Sequence, residues 1–490
     1  MKAHRSRSER PIRRHLLRAC SVLFHALVAA GVVYLAITRW NGVPADPIRP
    51  TQSTLVYSPP LDPALDRTEE LLAALGALPS APALTLPPAP PGMQWTGRVS
   101  GAVYVVDACC GEWTPETRPN LQGVIAFLET PETIAALSRV TSIEPGGWRP
   151  FGSTGAGSTA LRGMGQAPKL LVARARYHHA HRGDVDAALG DLAAAYRFAA
   201  AIFDSGAWLG LTGAAGCQVL ADHELQCLAR ECELTRTQAA RMSNIVCGTT
   251  LDRATMWRTA TAIQLAELER IIDAGWTDDG YGNGWLVLSH LNSTWQPDWT
   301  SSPRVGAWNM LSPFFNDRRT VRGKVALLRE VYESAADLPY REAMSVLEAV
   351  ESPRMFNLTD GPLSLSLMFP ISNMCRRSVS TSASRRATIV ALALSAYRHD
   401  HGEYPVSLEE LLNGYLDVIP MDPYADDVLR YRRQGAEFVL YSVGPNGADD
   451  GGKKYSVDQT IGRPKPYGDW VYTPSRRDPR FEPTLEPAEQ

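Results

Sequence analysis

Residues 169–205 read KLLVARARYHHAHRGDVDAALGDLAAAYRFAAAIFDS, and this stretch decides the fold class. Apolar side chains recur every three to four residues on both sides of Gly183-Asp184, which is typical of amphipathic helices. Gly183-Asp184 interrupts the pattern, so two antiparallel helices joined by a tight turn are predicted. The same periodicity predicts further helices at about 211–231, 235–247, 252–273, 318–335 and 340–350.

The predicted hairpin resembles one tetratricopeptide unit. The resemblance is carried by residues at the spacing of that repeat's second helix: Gly183, Ala188, Leu192 and Ala195. Arg176 stands where the repeat has a small residue, and no second copy follows at the spacing of about 34 residues. The resemblance is therefore weak, covers only 169–205, and predicts no array of repeats.

The N-terminus predicts a single membrane anchor. Residues 19–38 (ACSVLFHALVAAGVVYLAIT) have the length and apolar character that a helix needs to cross a bilayer. Lys and Arg are frequent in the preceding segment 1–18, whereas only Arg39 and Arg49 follow soon after. By the positive-inside rule, the N-terminus is cytoplasmic and the bulk of the chain lies outside the inner (cytoplasmic) membrane. A cleaved signal peptide is the alternative, although its apolar stretch is normally shorter.

Composition divides the remaining chain into four parts. We expect a stalk and Pro-rich linker over 39–92, because PSAPALTLPPAPP at 79–91 favours extended polyproline structure. A mostly helical extracytoplasmic domain follows over 93–370, then a small α+β module over 371–473, and a disordered tail over 474–490. The predicted fold class is mainly α, with a membrane helix, an irregular helical body and a small C-terminal α+β module.

The C-terminal module changes from a long apolar helix to short alternating runs. RRATIVALALSAYRHD at 385–400 is helical, and Pro405 cannot continue that helix. Residues 428–432 and 437–442 alternate around Gly435, which indicates a β-hairpin. A polar loop rich in Asn, Asp and Gly follows the second strand.

This order of elements resembles the globular end of the major pseudopilins of type II secretion. The match covers 385–473 and is carried by Ala393, Tyr397, Gly402, Tyr404, Pro405, Leu408, Leu411, Pro420, Asp422, Pro423, Tyr431, Tyr441, Ser442, Gly444, Asn446, Gly447, Asp449 and Asp450. In that family a helix packs on a small antiparallel sheet, and the C-terminal loop binds calcium.

The resemblance implies a calcium site in the polar loop. Its side-chain ligands would be Asp449 and Asp450, with Ser442 or Asn446 as further ligands. The chemistry is suitable, because Ca²⁺ takes six to eight oxygen ligands, which carboxylates and loop carbonyls supply. The alternative interpretation is that Asn and Asp stabilise turns through bonds to the backbone.

Two departures separate this chain from a true pseudopilin. In that family the membrane helix is continuous with the module and follows a prepilin-peptidase site. Here residues 40–384 lie between the predicted anchor and the matching segment, and no Gly-Phe-Thr-Leu-x-Glu start is present. We therefore expect that the chain is neither processed nor polymerised as a pilin.

The histidines and cysteines give weaker indications. On a helix, His178 and His181 share a face, so only two histidines of the run 178–181 could bind one metal ion. We interpret the run as surface histidines near a helix C-terminus. Eight cysteines, of which Cys20 lies in the predicted anchor, do not define a disulfide framework. No motif marks a particular Ser or Cys as a nucleophile.

Composition and motifs favour an interaction protein over an enzyme. The net charge of −3 argues against a nucleic-acid binder, and neither G-x-S-x-G nor H-E-x-x-H occurs. We expect a non-catalytic interaction or structural component of the bacterial cell envelope, bound to the lipid bilayer through 19–38 and to a protein partner. The alternatives are a secretion-system-associated component that acts through the module, and an envelope hydrolase whose active site the sequence does not mark.

Overall fold

A computed structural model describes residues 68–79, 93–95, 123, 125–142, 158–204, 208–249, 253–277, 284–286, 316–351, 360, 371–425, 427–453, 468–472 and 485–487. The predicted membrane anchor at 19–38 lies outside the described residues. Within these ranges, no helix combines the length and the apolar character that crossing a bilayer requires.

The described part of the chain is mainly helical, as the periodicity predicts. The α-helices are α1 (Thr68–Gly76), α2 (Pro131–Thr141), α3 (Ser158–Tyr177), α4 (Val185–Asp204), α5 (Trp208–Glu231), α6 (Arg236–Gly248), α7 (Arg253–Gly275), α8 (Arg318–Ala335), α9 (Tyr340–Val350) and α10 (Ile371–His401). The strands are β1 (Met93–Trp95), β2 (Arg430–Gln434), β3 (Glu437–Ser442), β4 (Trp470–Val471) and β5 (Leu485–Pro487).

The hairpin at 169–205 is present as α3 and α4, which pack against each other and against α5. Gly183 forms the turn in the left-handed region, with a φ of 66°. Helix α3 begins at Ser158, before the predicted start at Lys169. The glycine-rich sequence before Lys169 is helical because α3 crosses α1 closely there. A Cβ on Gly163 would lie 2.3 Å from the carbonyl oxygen of Leu75 in α1, so only glycine fits this crossing.

A seam of polar side chains is buried between α5 and α10. The amide of Gln226 in α5 donates to the hydroxyl oxygen of Thr388 at 2.8 Å and to the carbonyl oxygen of Ser384 at 3.2 Å. One turn beyond α5, the Ser395 hydroxyl accepts from the backbone N–H of Leu234 at 3.1 Å and donates to the Cys232 carbonyl at 2.8 Å. These bonds fix the register of α10 on the helical body, because an unpaired buried polar group costs about 1–3 kcal/mol.

The C-terminal module is built on the end of α10. The chain turns at Gly402, whose φ is 78°, and a 3₁₀ turn follows at Leu408–Leu412. Strands β2, β3 and β4 form an antiparallel sheet in that order. The predicted hairpin is confirmed, with Gly435 in its turn at a φ of 62°. Separately, β1 pairs with β5, which lies within the predicted tail.

The described residues group into two compact units. The smaller comprises 265–277, 284–286, 316–330, 350–351 and 360, and all other described residues belong to the larger. In the smaller unit Asp360 is fully buried, with the Lys324 ammonium at 2.8 Å and the Asn316 amide at 2.7 Å from its carboxylate. Buried charges are retained where such partners satisfy them.

Asp222 is a carboxyl with a raised pKa in the core of the larger unit. It is buried on α5, and its Oδ1 accepts a hydrogen bond of 2.6 Å from the Tyr196 hydroxyl of α4. Burial raises the pKa of Asp222 to about 7, although the Tyr196 hydrogen bond acts in the opposite direction. Between about pH 4 and pH 7, Asp222 is therefore protonated in the folded state and ionised in the unfolded chain.

We predict that Asp222→Asn removes a pH-dependent loss of stability. Because the folded pKa lies above the unfolded value of about 4, the parent loses stability as the pH rises from about 4 through 7. The free energy of unfolding of the variant, relative to the parent, should rise by roughly 2–3 kcal/mol between about pH 5 and pH 8. Urea unfolding of both proteins across this range measures the difference. A difference that does not change with pH would contradict the assignment.

Candidate metal and partner-binding site

The polar loop after β3 is a series of tight turns. Glycines at left-handed φ values shape it, including Gly444 at 67° and Gly447 at 59°. The backbone N–H of Gly447 donates to the carbonyl oxygen of Gly444 at 3.0 Å. Arg341 of α9 reaches across to the loop and donates to the carbonyl oxygen of Asn446. The loop is therefore held against α9 as well as against its own sheet.

Three of the four predicted ligands lie in this loop. The Asn446 amide donates to Oδ2 of Asp450 at 2.9 Å, and the same oxygen accepts from the backbone N–H of Gly468 at 2.7 Å. Asp449 has other partners: its Oδ1 accepts from the Tyr441 hydroxyl at 3.1 Å and from the backbone N–H of Gly451 at 2.9 Å. Asn446 and Asp450 are thus brought together, and Asp449 lies beside them with a separate set of contacts.

Ser442, the fourth predicted ligand, has a different set of partners. It is fully buried, and its hydroxyl donates to Oδ1 of Asp422 at 2.8 Å. Asp422 also accepts from the backbone N–H groups of Tyr424 at 3.0 Å and Val443 at 3.0 Å. The Ser442–Asp422 pair therefore ties the Pro-rich turn before β2 to the end of β3.

Asp469 is a carboxylate at this loop that the sequence does not mark. Its two oxygens accept from the backbone N–H groups of Asp450 at 3.2 Å and Gly452 at 2.7 Å. Burial, together with the nearby charges of Asp449 and Asp450, raises the pKa of Asp469, whereas the two backbone hydrogen bonds lower it. The residue lies 19 positions beyond Asp450, so no local motif includes it.

The donor chemistry of the loop suits calcium, whereas the side chains do not converge on one point. Among the described residues, no three His, Cys, Asp or Glu side chains are arranged to hold a metal ion. Oδ2 of Asp449 lies 3.4 Å from the Arg430 guanidinium, a cation that competes for this carboxylate. Calcium binding would therefore draw Asp449 from Arg430 towards Asp450, and the calcium site remains a prediction.

Exposed apolar side chains lie in the segment that joins α10 to the sheet. The exposed fraction is 73% for Val406, 71% for Val418, 47% for Met421 and 45% for Leu412. Single exposed apolar residues are ordinary on protein surfaces, but several within one short segment are typical of a contact surface. We name residues 406–421 the apolar segment.

No protein-family model matches the chain, and no curated protein or solved structure matches it either.

We predict that Ca²⁺ stabilises the module through Asp449 and Asp450. At about 100 times its dissociation constant, a ligand adds about 2.7 kcal/mol to the free energy of unfolding, which raises the melting temperature of a cooperative unit of about 350 residues by roughly 3–5 °C. Thermal unfolding of the full chain in Ca²⁺ and in chelator measures this rise. Asp449→Ala/Asp450→Ala should abolish it, while Asp417→Ala, a control at an exposed position away from the loop, should keep it. Equal melting temperatures with and without Ca²⁺ would show that the loop is an ordinary hydrogen-bonded turn.

Proposed function

We propose that this chain is a non-catalytic interaction or structural protein of the bacterial cell envelope. Its mass lies outside the cytoplasm, tethered by the segment 19–38, and the C-terminal module displays a binding surface for a protein partner. We also propose that the module is related to the globular end of the major pseudopilins.

The burial of α10 carries this proposal. In a pseudopilin the helix of the module continues into the membrane anchor, where it serves assembly. Here the N-terminal part of α10 is buried instead, for example at Ile371, Val379 and Ala383, and the helix packs on α5 and α6. A helix enclosed by its own chain is not available for a filament, so the module serves as a displayed head.

Three ion pairs between exposed or half-buried side chains hold the module on the helical body. Arg236 of α6 lies 3.0 Å from the carboxylate of Asp400 at the end of α10, and its guanidinium covers the Tyr415 ring at 4.3 Å. Arg230 of α5 lies 2.9 Å from Glu437 in β3, and Arg398 near the end of α10 lies 3.8 Å from Glu233, which follows α5. Each exposed pair contributes little alone, but together they favour one orientation of the module.

The apolar segment is the surface that we assign to the partner. It lies in the module, and four of its apolar side chains are exposed (Val406, Leu412, Val418 and Met421), whereas Leu408 and Leu411 pack into the core. Burial of such side chains contributes about 25 cal/mol per Å² of apolar area, from which the entropy cost of association is subtracted. A partner protein with an apolar patch of matching shape fits this chemistry better than a small polar ligand does.

Site-specific photo-crosslinking in cells tests the proposed function. A photoreactive residue at Val418 should give one discrete crosslinked protein in the membrane fraction. The same residue at Ile134, which is 46% exposed on α2, is the matched control and should give none. A pseudopilin as the crosslinked protein would favour the secretion-associated alternative.

Two results would contradict the proposal. One is an equal crosslinking pattern from Val418 and Ile134, because the apolar segment would then have no partner. The other concerns an epitope tag at the C-terminus. If protease cleaves the tag only after the spheroplasts are lysed, the module lies inside the cell.

A further inference from the structure

Helix α3 ends in one turn of π-helix, His178–Arg182. Such turns are rare, and they occur frequently at functional sites because the extra residue redirects side chains. The left-handed Gly183 closes the turn, and its N–H donates to the carbonyl oxygen of His179 at 3.1 Å. None of the three histidines is buried, as the sequence predicts, but the segment directs the half-buried His179 towards the end of α5.

His179 contacts a cysteine there. Its Nε2 lies 2.9 Å from Sγ of Cys232, the residue that follows α5. On the other side of the ring, the Arg176 guanidinium lies 3.1 Å from Nδ1. A guanidinium can only donate, so this contact favours the tautomer with its proton on Nε2, whereas the Glu231 carboxylate, 3.5 Å from the same Nδ1, favours a second proton there. A ring protonated on Nε2, alone or on both nitrogens, donates that proton to the sulfur. This hydrogen bond stabilises the thiolate form of Cys232.

Acidic groups near the sulfur are paired with arginines. Arg176 lies 2.9 Å from the carboxylate of Glu231, and Arg398 lies 3.8 Å from that of Glu233. The carbonyl end of α5 also disfavours a thiolate at Cys232. The pairing offsets the acidic charges, so the imidazole N–H is the group that favours the thiolate most directly.

Other described cysteines provide the contrast. Cys217 is buried, and burial raises the pKa of its thiol to about 12, which makes it inert. Cys247 on α6 is exposed, whereas Cys232 is half-buried beside His179. Exposure alone would make Cys247 the more reactive thiol. A higher alkylation rate at Cys232 than at Cys247 would therefore be an effect of the imidazole.

We propose that Cys232 is a reactive thiol that exchanges with small disulfides, with His179 as its positioning residue. The Cys232 thiolate attacks one sulfur of the disulfide, the old S–S bond breaks as the new one forms, and the released thiolate takes a proton from water. The Cys232 sulfur is oxidised to a disulfide sulfur and the released sulfur is reduced to a thiol, so the exchange needs no further oxidant. Oxidising compartments outside the cytoplasm hold such disulfides, and the site is independent of the module's partner.

Alkylation of the reduced full chain at about pH 7 tests this site. Limiting iodoacetamide and peptide mass spectrometry give the rates at Cys232 and Cys247 in one sample. Cys232 should react about tenfold faster than Cys247, because its thiolate fraction is larger while each thiolate is somewhat less nucleophilic. Incubation with oxidised glutathione should then place the mixed disulfide on Cys232 in preference to Cys247.

Two variants separate the role of the imidazole from a structural one. His179→Ala should slow Cys232 to the rate of Cys247 and leave Cys247 unchanged, whereas His179→Gln, whose amide also donates N–H, should retain a rate within a few-fold of the parent. Alkylation of the buried Cys217 in His179→Ala would show that this variant is misfolded. The rate of Cys232 in His179→Gln is then the result that tests the role of the imidazole. A parent Cys232 that reacts no faster than Cys247, or a His179→Gln rate equal to that of Cys247, would overturn the proposal.

Discussion

The hydrogen bond between Gln226 and Thr388, in the buried interface of α5 and α10, is the contact on which the larger unit depends. Buried polar groups must be paired, so this bond and the Ser395 bonds one turn beyond α5 allow a single register between the two helices. A purely apolar seam would pack in several registers at similar cost. The polar seam therefore specifies the position of α10, and with it everything that α10 carries.

What α10 carries is the C-terminal module. The helix is 31 residues long and runs from the helical body to Gly402, where the chain turns into the sheet. Its first part takes the role of a core helix, and its last turns support β2 and β3. Packing against the helical body makes the module rigid. The polar loop and the apolar segment are held in fixed positions as a consequence. Such a placement suits a displayed binding surface, which gains affinity from preorganisation.

Local patterns predict the helices and the hairpin well, because periodicity and turn residues act over a few positions. Gly163 is a different case, since its glycine-rich surroundings suggest a loop and only the approach of Leu75 explains why a helix needs glycine there. Asp469 and the His179–Cys232 pair are also hidden, because their partners lie 19 and 53 positions away. Nothing in a single sequence states that such residues meet, although the unusual density of histidine at 178–181 is a signal in retrospect.

Hydrogen exchange of the full chain, followed by mass spectrometry, tests the central claim most directly. If the polar seam joins the helical body and the module into one cooperative unit, the amides of α5, of α10 and of β3 should share one opening free energy. Gln226→Ala should lower that free energy in all three elements together, by about 1–3 kcal/mol. If β3 and the end of α10 instead open independently of α5, and stay unchanged in the variant, the module is a separate domain and the account is contradicted.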